Sequence, residues 1–294
     1  MTKIWDVIDN DSLDAVVTDR AVTFLRTFIP SGVDQIWSVD YFHWKLGESN
    51  PAGTGFMTVA ESGSSVVGVT SITKKRMWDG YSELLTAEIG DTFTHPDFRR
   101  EGQASVSYGQ PNSDLYLNRS VFGRLVTETV QRAETGGIRL IYGTPNSDAM
   151  PGYVNRLGFQ NHKSHYNHNF VRPTSRLLST YPIRPITNVL GNIDVKYSEF
   201  LRSLISWRTR LRVEDISDSL GMIDALWYQL RDRNGFGLLR DSKYFAHRFT
   251  QNPLADYKIW GVYQGIRLCG VFVTRIATKV AGRRVCYLAD WLLD

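Results

Sequence analysis

The stretch Thr94-His95-Pro96-Asp97-Phe98-Arg99-Arg100-Glu101-Gly102-Gln103-Ala104 decides the fold together with its continuation: Ile141-Tyr142-Gly143-Thr144-Pro145-Asn146, Pro151-Gly152-Tyr153 and Leu157-Gly158-Phe159. It reads as a strand end, a turn holding arginines and a glycine, a long helix, a second strand, a Pro-Asn loop and a short helix. Within it Val121, Phe122, Leu125, Val126, Thr129, Val130 and Ala133 recur at the spacing of one helical face, with Arg124, Glu128, Gln131, Arg132 and Glu134 opposite. Gly136-Gly137 supplies the residues a left-handed helix stop needs. The apolar run 138–144 has strand length, and its tight return from the helix predicts a parallel crossover beside the strand 87–94. A helix N-terminus offers unpaired N–H groups and partial positive charge, so a glycine-bearing turn feeding it is a phosphate-binding candidate; an ordinary turn with solvated arginines is the other reading.

Working outward, 294 residues can bury one large core or two ordinary ones. Hydrophobic content of 42% and charged content of 22% belong to the soluble globular class. No apolar run reaches the ~18 residues of a membrane helix. The N-terminus MTKIWDVIDNDSLD is acidic and broken by charge, unlike a secretory signal. Two cysteines, Cys269 and Cys286, exclude a disulfide scaffold and point to a reducing cytoplasm. A net charge of +4 suits a small anionic ligand as well as nucleic acid, and nucleic acid is not an expected partner. His162, His165 and His168 are three apart in a region expected to be strand, where that spacing alternates faces, so no metal site is expected. Nucleophile-elbow and P-loop patterns are missing from the sequence, which argues against hydrolase and kinase chemistry.

Arg99-x-x-Gly102-x-Ala104 resembles the pyrophosphate loop of the GNAT acyl-CoA N-acyltransferases, Q/R-x-x-G-x-G/A, and His95 to Arg100 resembles the segment preceding it. Asn146 and Tyr153 fall where that superfamily often places a cofactor-binding asparagine and a tyrosine general acid. The resemblance implies an α/β fold, a mixed twisted sheet with flanking helices. It also implies acetyl-CoA or another acyl-CoA as co-substrate, without a metal, and a small-molecule primary amine as acceptor. Implied cofactor contacts are Arg99, Arg100, Gly102, Gln103, Ala104 and Asn146, with the backbone at Phe93 and Thr94 gripping pantetheine. Gly90 is the expected bulge that splays strand 87–94 from 138–144. Tyr153 would give a proton to the departing sulfur, or else only pack. Glu88 or Asp91 would serve as base, or else pair with an arginine as a structural acid. Tyr41, Phe42, Trp44, Trp78 and Tyr81 favour a ring-bearing acceptor. The sequence departs from the family pattern in one place: the polar stretch 105–120 intervenes between the turn and the helix, as a surface loop or as a cover over the site.

A repeat extends this reading. Asp40-Tyr41-Phe42-His43-Trp44 with Asn50-Pro51 recurs as Lys243-Tyr244-Phe245-Ala246-His247 with Asn252-Pro253. Each copy is preceded by a helical pattern (16–28, 216–231) and followed by two apolar strands joined at a glycine turn (56–61 with 66–72, 258–263 with 268–276). Asp91 then aligns with Asp290. The expected organisation is an acyl-CoA-binding domain at 1–171, a linker and docking helix at 172–212, and an incomplete second unit at 213–294. Arg202, Arg208, Arg210 and Arg212 read as the solvated face of the docking helix. The second copy stops at Asp294, where its own cofactor turn would begin, so it is expected to act as substrate wall, interface or scaffold. Its apolar edge at 287–293 calls for cover, by the first domain or by another chain in a homo-oligomer. A non-catalytic binding or assembly module is the competing reading for the whole chain.

Overall fold

The computed structural model describes residues 5–10, 13–29, 37–99, 120–162, 210–233, 235–278 and 284–294. The first sheet runs in the order β1 (Asp6–Asn10), β2 (Phe56–Ser62), β3 (Ser65–Trp78), β4 (Glu83–Thr94) and β5 (Leu140–Tyr142). Neighbours are antiparallel except β4 and β5, which pair in parallel as the crossover predicts. Helices α1 (Ala15–Phe28) and α2 (Val39–Leu46) cover one face, where Val22, Leu25, Phe42 and Leu46 pack on Met57, Val59 and Val69. Helix α3 (Val121–Thr135) covers the other through Val121, Leu125, Val126 and Ala133. Layers on both faces explain why β2 reads as a continuous apolar run rather than an alternating one.

Helix α3 follows from its sequence. The Ser120 hydroxyl accepts from Gly123 N at 2.9 Å to cap one end, and Gly137 at φ 80° turns the chain out at the other. Its approach to the sheet depends on Gly68. A Cβ there would stand 2.7 Å from both Leu125 Cδ1 and Val121 Cγ1, two fully buried side chains. Gly68→Ala is therefore expected to destabilise the fold by about 1–3 kcal/mol through overpacking, measured by urea unfolding. An unchanged midpoint would show that α3 can yield.

A second sheet runs β10 (Arg284–Leu293), β9 (Arg267–Thr278), β8 (Tyr257–Gln264) and β6 (Leu211–Asp215). Helices α4 (Met222–Leu230) and α5 (Ser242–Phe245), and the wide helical turn Ala246–Thr250, pack on it through Ile223, Leu226, Phe245 and Phe249. The helix expected over 216–231 starts late because Asp215 accepts from Ser217 N at 3.1 Å and from its hydroxyl at 2.6 Å, holding a turn in place of the first helical residues.

The two sheets share a register detail. In β2 and β3 the pairing steps from Ala60↔Gly68 to Glu61↔Val66; in β8 and β9 it steps from Val262↔Gly270 to Tyr263↔Leu268. All four positions are displaced by one constant offset. The strand after each pair also carries an extra residue, between Gly90 and Phe93 in β4 and at Ala289 in β10. β10 ends the second sheet and exposes Leu288, Trp291 and Leu293.

Two seams join the units. Strand β7 (Gly237–Leu238) pairs with Met77 and Trp78 of β3, Leu239 N donates to Arg76 O at 2.9 Å, and Arg76 pairs with Asp241 at 2.9 Å. Trp78 is accordingly buried in the core of the second unit. At the other seam the Trp44 and His247 rings stack 5.0 Å apart, 13° from parallel. Trp44 Nε1 donates to His247 O and His247 Nε2 donates to Trp44 O, each at 3.0 Å. Trp44 and His247 hold equivalent places in the repeated strings, so the contact is reciprocal.

Candidate active site

The first sheet opens along β4. Parallel pairing with β5 covers Thr86↔Leu140, Ala87↔Ile141 and Glu88↔Tyr142, and β5 then ends while β4 continues to Thr94. Gly143 leaves against Ile89, where a Cβ would meet the Ile89 carbonyl oxygen at 3.1 Å. Beyond Glu88, β4 has no strand partner on that edge among the described residues.

At the same height β4 bulges away from β3, whose pairing passes from Ser71↔Gly90 to Val69↔Phe93. The bulge begins at Gly90, where one was expected, and the residue that takes the left-handed conformation is Asp91, at φ 51°. Aspartate tolerates this region better than most residues, and here its carboxylate is held by Lys45 Nζ at 2.6 Å and the Ser71 hydroxyl at 2.5 Å. The extra residue changes the alternation of side chains, and the charges of Glu88 and Asp91 both act on Tyr41 and Lys45. Glu88 is half-buried and 3.5 Å from Lys75. Both acids thus pair with lysines rather than with the expected arginines. Burial lowers the Lys75 pKa while Glu88 opposes that shift.

Tyr153 reaches this opening from the turn after β5. The Asn146 side-chain oxygen accepts from Ala149 N at 2.9 Å and starts the turn; the wide turn Gly152–Arg156 follows and Gly158 at φ 73° closes it. The Tyr153 ring packs edge-on to Phe122 and Phe159, each 5.2 Å away, and its hydroxyl donates to Thr92 Oγ1 at 2.7 Å. Thr92 meets Thr70 Oγ1 at 2.7 Å, forming a short hydroxyl chain across the bulge. Tyr153 is 6% exposed, and burial pushes its pKa up to about 12, with the Thr92 bond pulling weakly the other way. It is a neutral phenol throughout the physiological range.

The other expected site residues are spread along the rim. Phe93 packs against Phe24 and Phe28 of α1, so only its backbone faces the opening. Thr94 is buried, and its hydroxyl has no hydrogen-bond partner among the described residues. Arg99 is exposed, donates Nε–H to Thr94 O at 3.0 Å and lies 4.8 Å over the Phe93 ring. Arg100, Gly102, Gln103, Ala104, the stretch 105–119, His165, His168 and the 172–209 segment lie outside the described residues. The aromatic set does not converge. Phe42 and Trp78 are buried in separate cores, Tyr81 is 91% exposed, and only Tyr41 and Trp44 border the seam.

Sequence reasoning missed Lys45, Lys75, Tyr142 and Arg248, each of which interacts electrostatically with Glu88 or Asp91 here. Burial and the charge of Glu88 push the Tyr142 pKa up, and Arg248 opposes them. A surface groove of about 590 Å³ lies elsewhere, lined by Phe56, Lys74, Glu128, Arg132 and Ile138 at the far end of α3. Its guanidinium is already bound by Asp9 at 2.5 Å and Thr58 at 2.9 Å, and none of Tyr153, Glu88 or Asp91 lines it. No helix among the described residues is long and apolar enough to cross a membrane.

No protein-family profile matches the chain, and no curated protein sequence matches it. Solved structures do. A protein of unknown function from Enterococcus faecalis V583, described as a probable N-acyltransferase, aligns over 99% of this chain with TM-score 0.56 and 11% identity. This chain spans 58% of that protein's length. A predicted acetyltransferase from Clostridium acetobutylicum, solved with acetyl-CoA, covers 56% of this chain and 96% of its own at TM-score 0.39 and 16% identity. Glucosamine-6-phosphate N-acetyltransferase from Arabidopsis thaliana covers 57% and 99%, at TM-score 0.38 and 11% identity. The mixed sheet, its flanking helices and the full-length likeness to the Enterococcus protein give this chain the GNAT acyl-CoA N-acyltransferase fold, extended by a second unit.

Proposed function

We propose that the protein transfers an acyl group, most simply acetyl, from CoA to the primary amine of a small molecule. The observation that carries this reading is the Tyr153 hydroxyl, a protonated phenol reaching β4 where β4 and β5 part. Acyl-CoA supplies an activated thioester. Two features fit such a chain: the β4 edge without a strand partner, offering backbone N–H and C=O groups, and the buried Thr94 hydroxyl with none of its own. Arg99 follows the end of β4 and Asn146 the end of β5, with Arg100, Gly102, Gln103 and Ala104 assigned to the phosphates by sequence alone.

In this reading Tyr153 protonates the departing thiolate, and the Thr92–Thr70 hydroxyls solvate the phenolate left behind. Glu88, through water, is the better candidate to take the amine proton. Asp91 is held by two donors and serves to fix the bulge. Residues 1–171 carry the site, and 213–294 form a degenerate copy of the same fold that walls the acceptor side. The shared register and the reciprocal Trp44–His247 contact support that division.

Calorimetric titration with acetyl-CoA tests the site, with thiol release over a panel of amines as the second readout. Micromolar binding, weakened at least about tenfold by Arg99→Ala or Asn146→Ala, is the expected outcome. Absence of binding at millimolar acetyl-CoA sinks the enzyme and leaves a non-catalytic module.

A further inference from the structure

The repeat sets Tyr41, Lys45 and Asp91 of the first unit against Tyr244, Arg248 and Asp290 of the second. The two triads are wired differently. Lys45 is neutralised by Asp91 at 2.6 Å. Asp290 instead accepts the Tyr244 hydroxyl at 2.6 Å and faces Arg240 at 3.8 Å. The Arg248 guanidinium makes no hydrogen bond or ion pair to any described residue and lies 5.7 Å from the Phe249 ring.

Arg248 stands beside the seam between the units. It follows His247, which is clamped to Trp44 by the stack and two hydrogen bonds at the seam. Its charge acts on Tyr41 of α2, Lys75 of β3 and Tyr142 of β5, and Tyr244, Asp290 and Glu88 act on it in turn. It remains exposed to solvent there. Lys45 and Lys75 each have a carboxylate in ion-pair contact, whereas Arg248 has none among the described residues. Asp290 and Glu88 act on it only from beyond ion-pair distance, and a planar guanidinium with no carboxylate in contact suits two parallel hydrogen bonds to a carboxylate or phosphate.

We propose that Arg248 binds the anionic group of the acceptor, so that the amine acylated belongs to a small molecule carrying a carboxylate or phosphate close to its amino group. The inference rests on the acyltransferase reading for the role of that amine, with Glu88 on the amine side and Arg248, from the second unit, on the anion side. It also gives the second unit a part in specificity.

The test is calorimetry of the full chain with paired probes: glycine against glycinamide, and phosphoethanolamine against ethanolamine. At least one anionic member should bind about tenfold or more tightly than its neutral partner, and the pair that shows it separates carboxylate from phosphate. Arg248→Met should abolish the difference, Arg248→Lys should keep part of it, and Tyr153→Phe should keep all of it. Equal binding within both pairs, no binding by any probe, or a preference that survives in a folded Arg248→Met variant overturns the proposal. If the anionic preference holds but no CoA thiol is released with acetyl-CoA, the acyltransferase reading fails and the Arg248 site stands. Thiol release with the neutral amines alone means the reverse: the acyltransferase reading stands and the Arg248 site fails.

Discussion

Tyr153→Phe is expected to lower the rate of acyl transfer by about 10²–10³-fold while acetyl-CoA affinity stays within about twofold. The substitution removes one oxygen and little else. The ring keeps its edge-on contacts with Phe122 and Phe159, and Thr92 keeps its bond to Thr70, so the turn Gly152–Arg156 should hold. What is lost is the proton for the leaving thiolate. Because burial pushes the phenol up to about 12, the acid form is fully populated at neutral pH, and its loss by ionisation begins only near that value. The wild-type rate should therefore show no alkaline fall from Tyr153 below about pH 10, and any ionisation seen near neutrality belongs to the base or the amine. Steady-state thiol release across pH, paired with calorimetry on the same variant, provides the check. A rate within about threefold of wild type removes the general acid. Affinity that collapses with the rate makes Tyr153 a wall of the cofactor slot instead.

That prediction rests on a residue legible in the sequence, and the reason it was legible is local. Tyr153 sits at a fixed distance from Pro145-Asn146 and Gly158-Phe159, and such loop chemistry is written in adjacent residues. Helix α3 was legible for the same reason, with its apolar face repeating every turn and its stop at Gly137. The repeated strings were legible as strings, and the aromatic they share is buried in each, Phe42 and Phe245 both at 0% exposure. Other parts of the site were not legible. Lys45 and Lys75 come from α2 and β3, and periodicity does not say which cation reaches an acid on β4. Glycine reaches positive φ without strain, which favours Gly90 for the bulge, yet Asp91 holds that conformation through tertiary bonds to Lys45 and Ser71. The two-residue strand β7 is too short for any pattern, although it joins the second unit to the first sheet.

Lys45→Met carries the second large effect, a loss of about 3–5 kcal/mol of stability in urea unfolding. The Lys45 and Asp91 side chains are only 17% and 11% exposed, so removing the ammonium leaves a desolvated carboxylate with Ser71 as its one remaining donor among the described residues. For contrast, the more open Arg124–Glu128 pair on α3, at 36% and 31%, should lose no more than about 0.5 kcal/mol on Arg124→Met. The alkaline side provides an independent check. Burial pulls the Lys45 pKa down, but Asp91 and Tyr41 outweigh it and the net shift is upward from 10.5. A base raised in the folded state stabilises the fold fully below its unfolded pKa and loses that contribution as pH climbs through the folded one. The stability gap between wild type and Lys45→Met should thus be level from neutrality to about pH 10 and shrink above it. Adding Asp91→Asn to Lys45→Met should recover more than half of the loss, because asparagine suits φ 51° and removes the stranded charge. If Lys45→Met instead loses less than about 1 kcal/mol, water already reaches the Asp91 carboxylate. The assignment of Glu88 over Asp91 as the amine's proton acceptor would then have to be reversed.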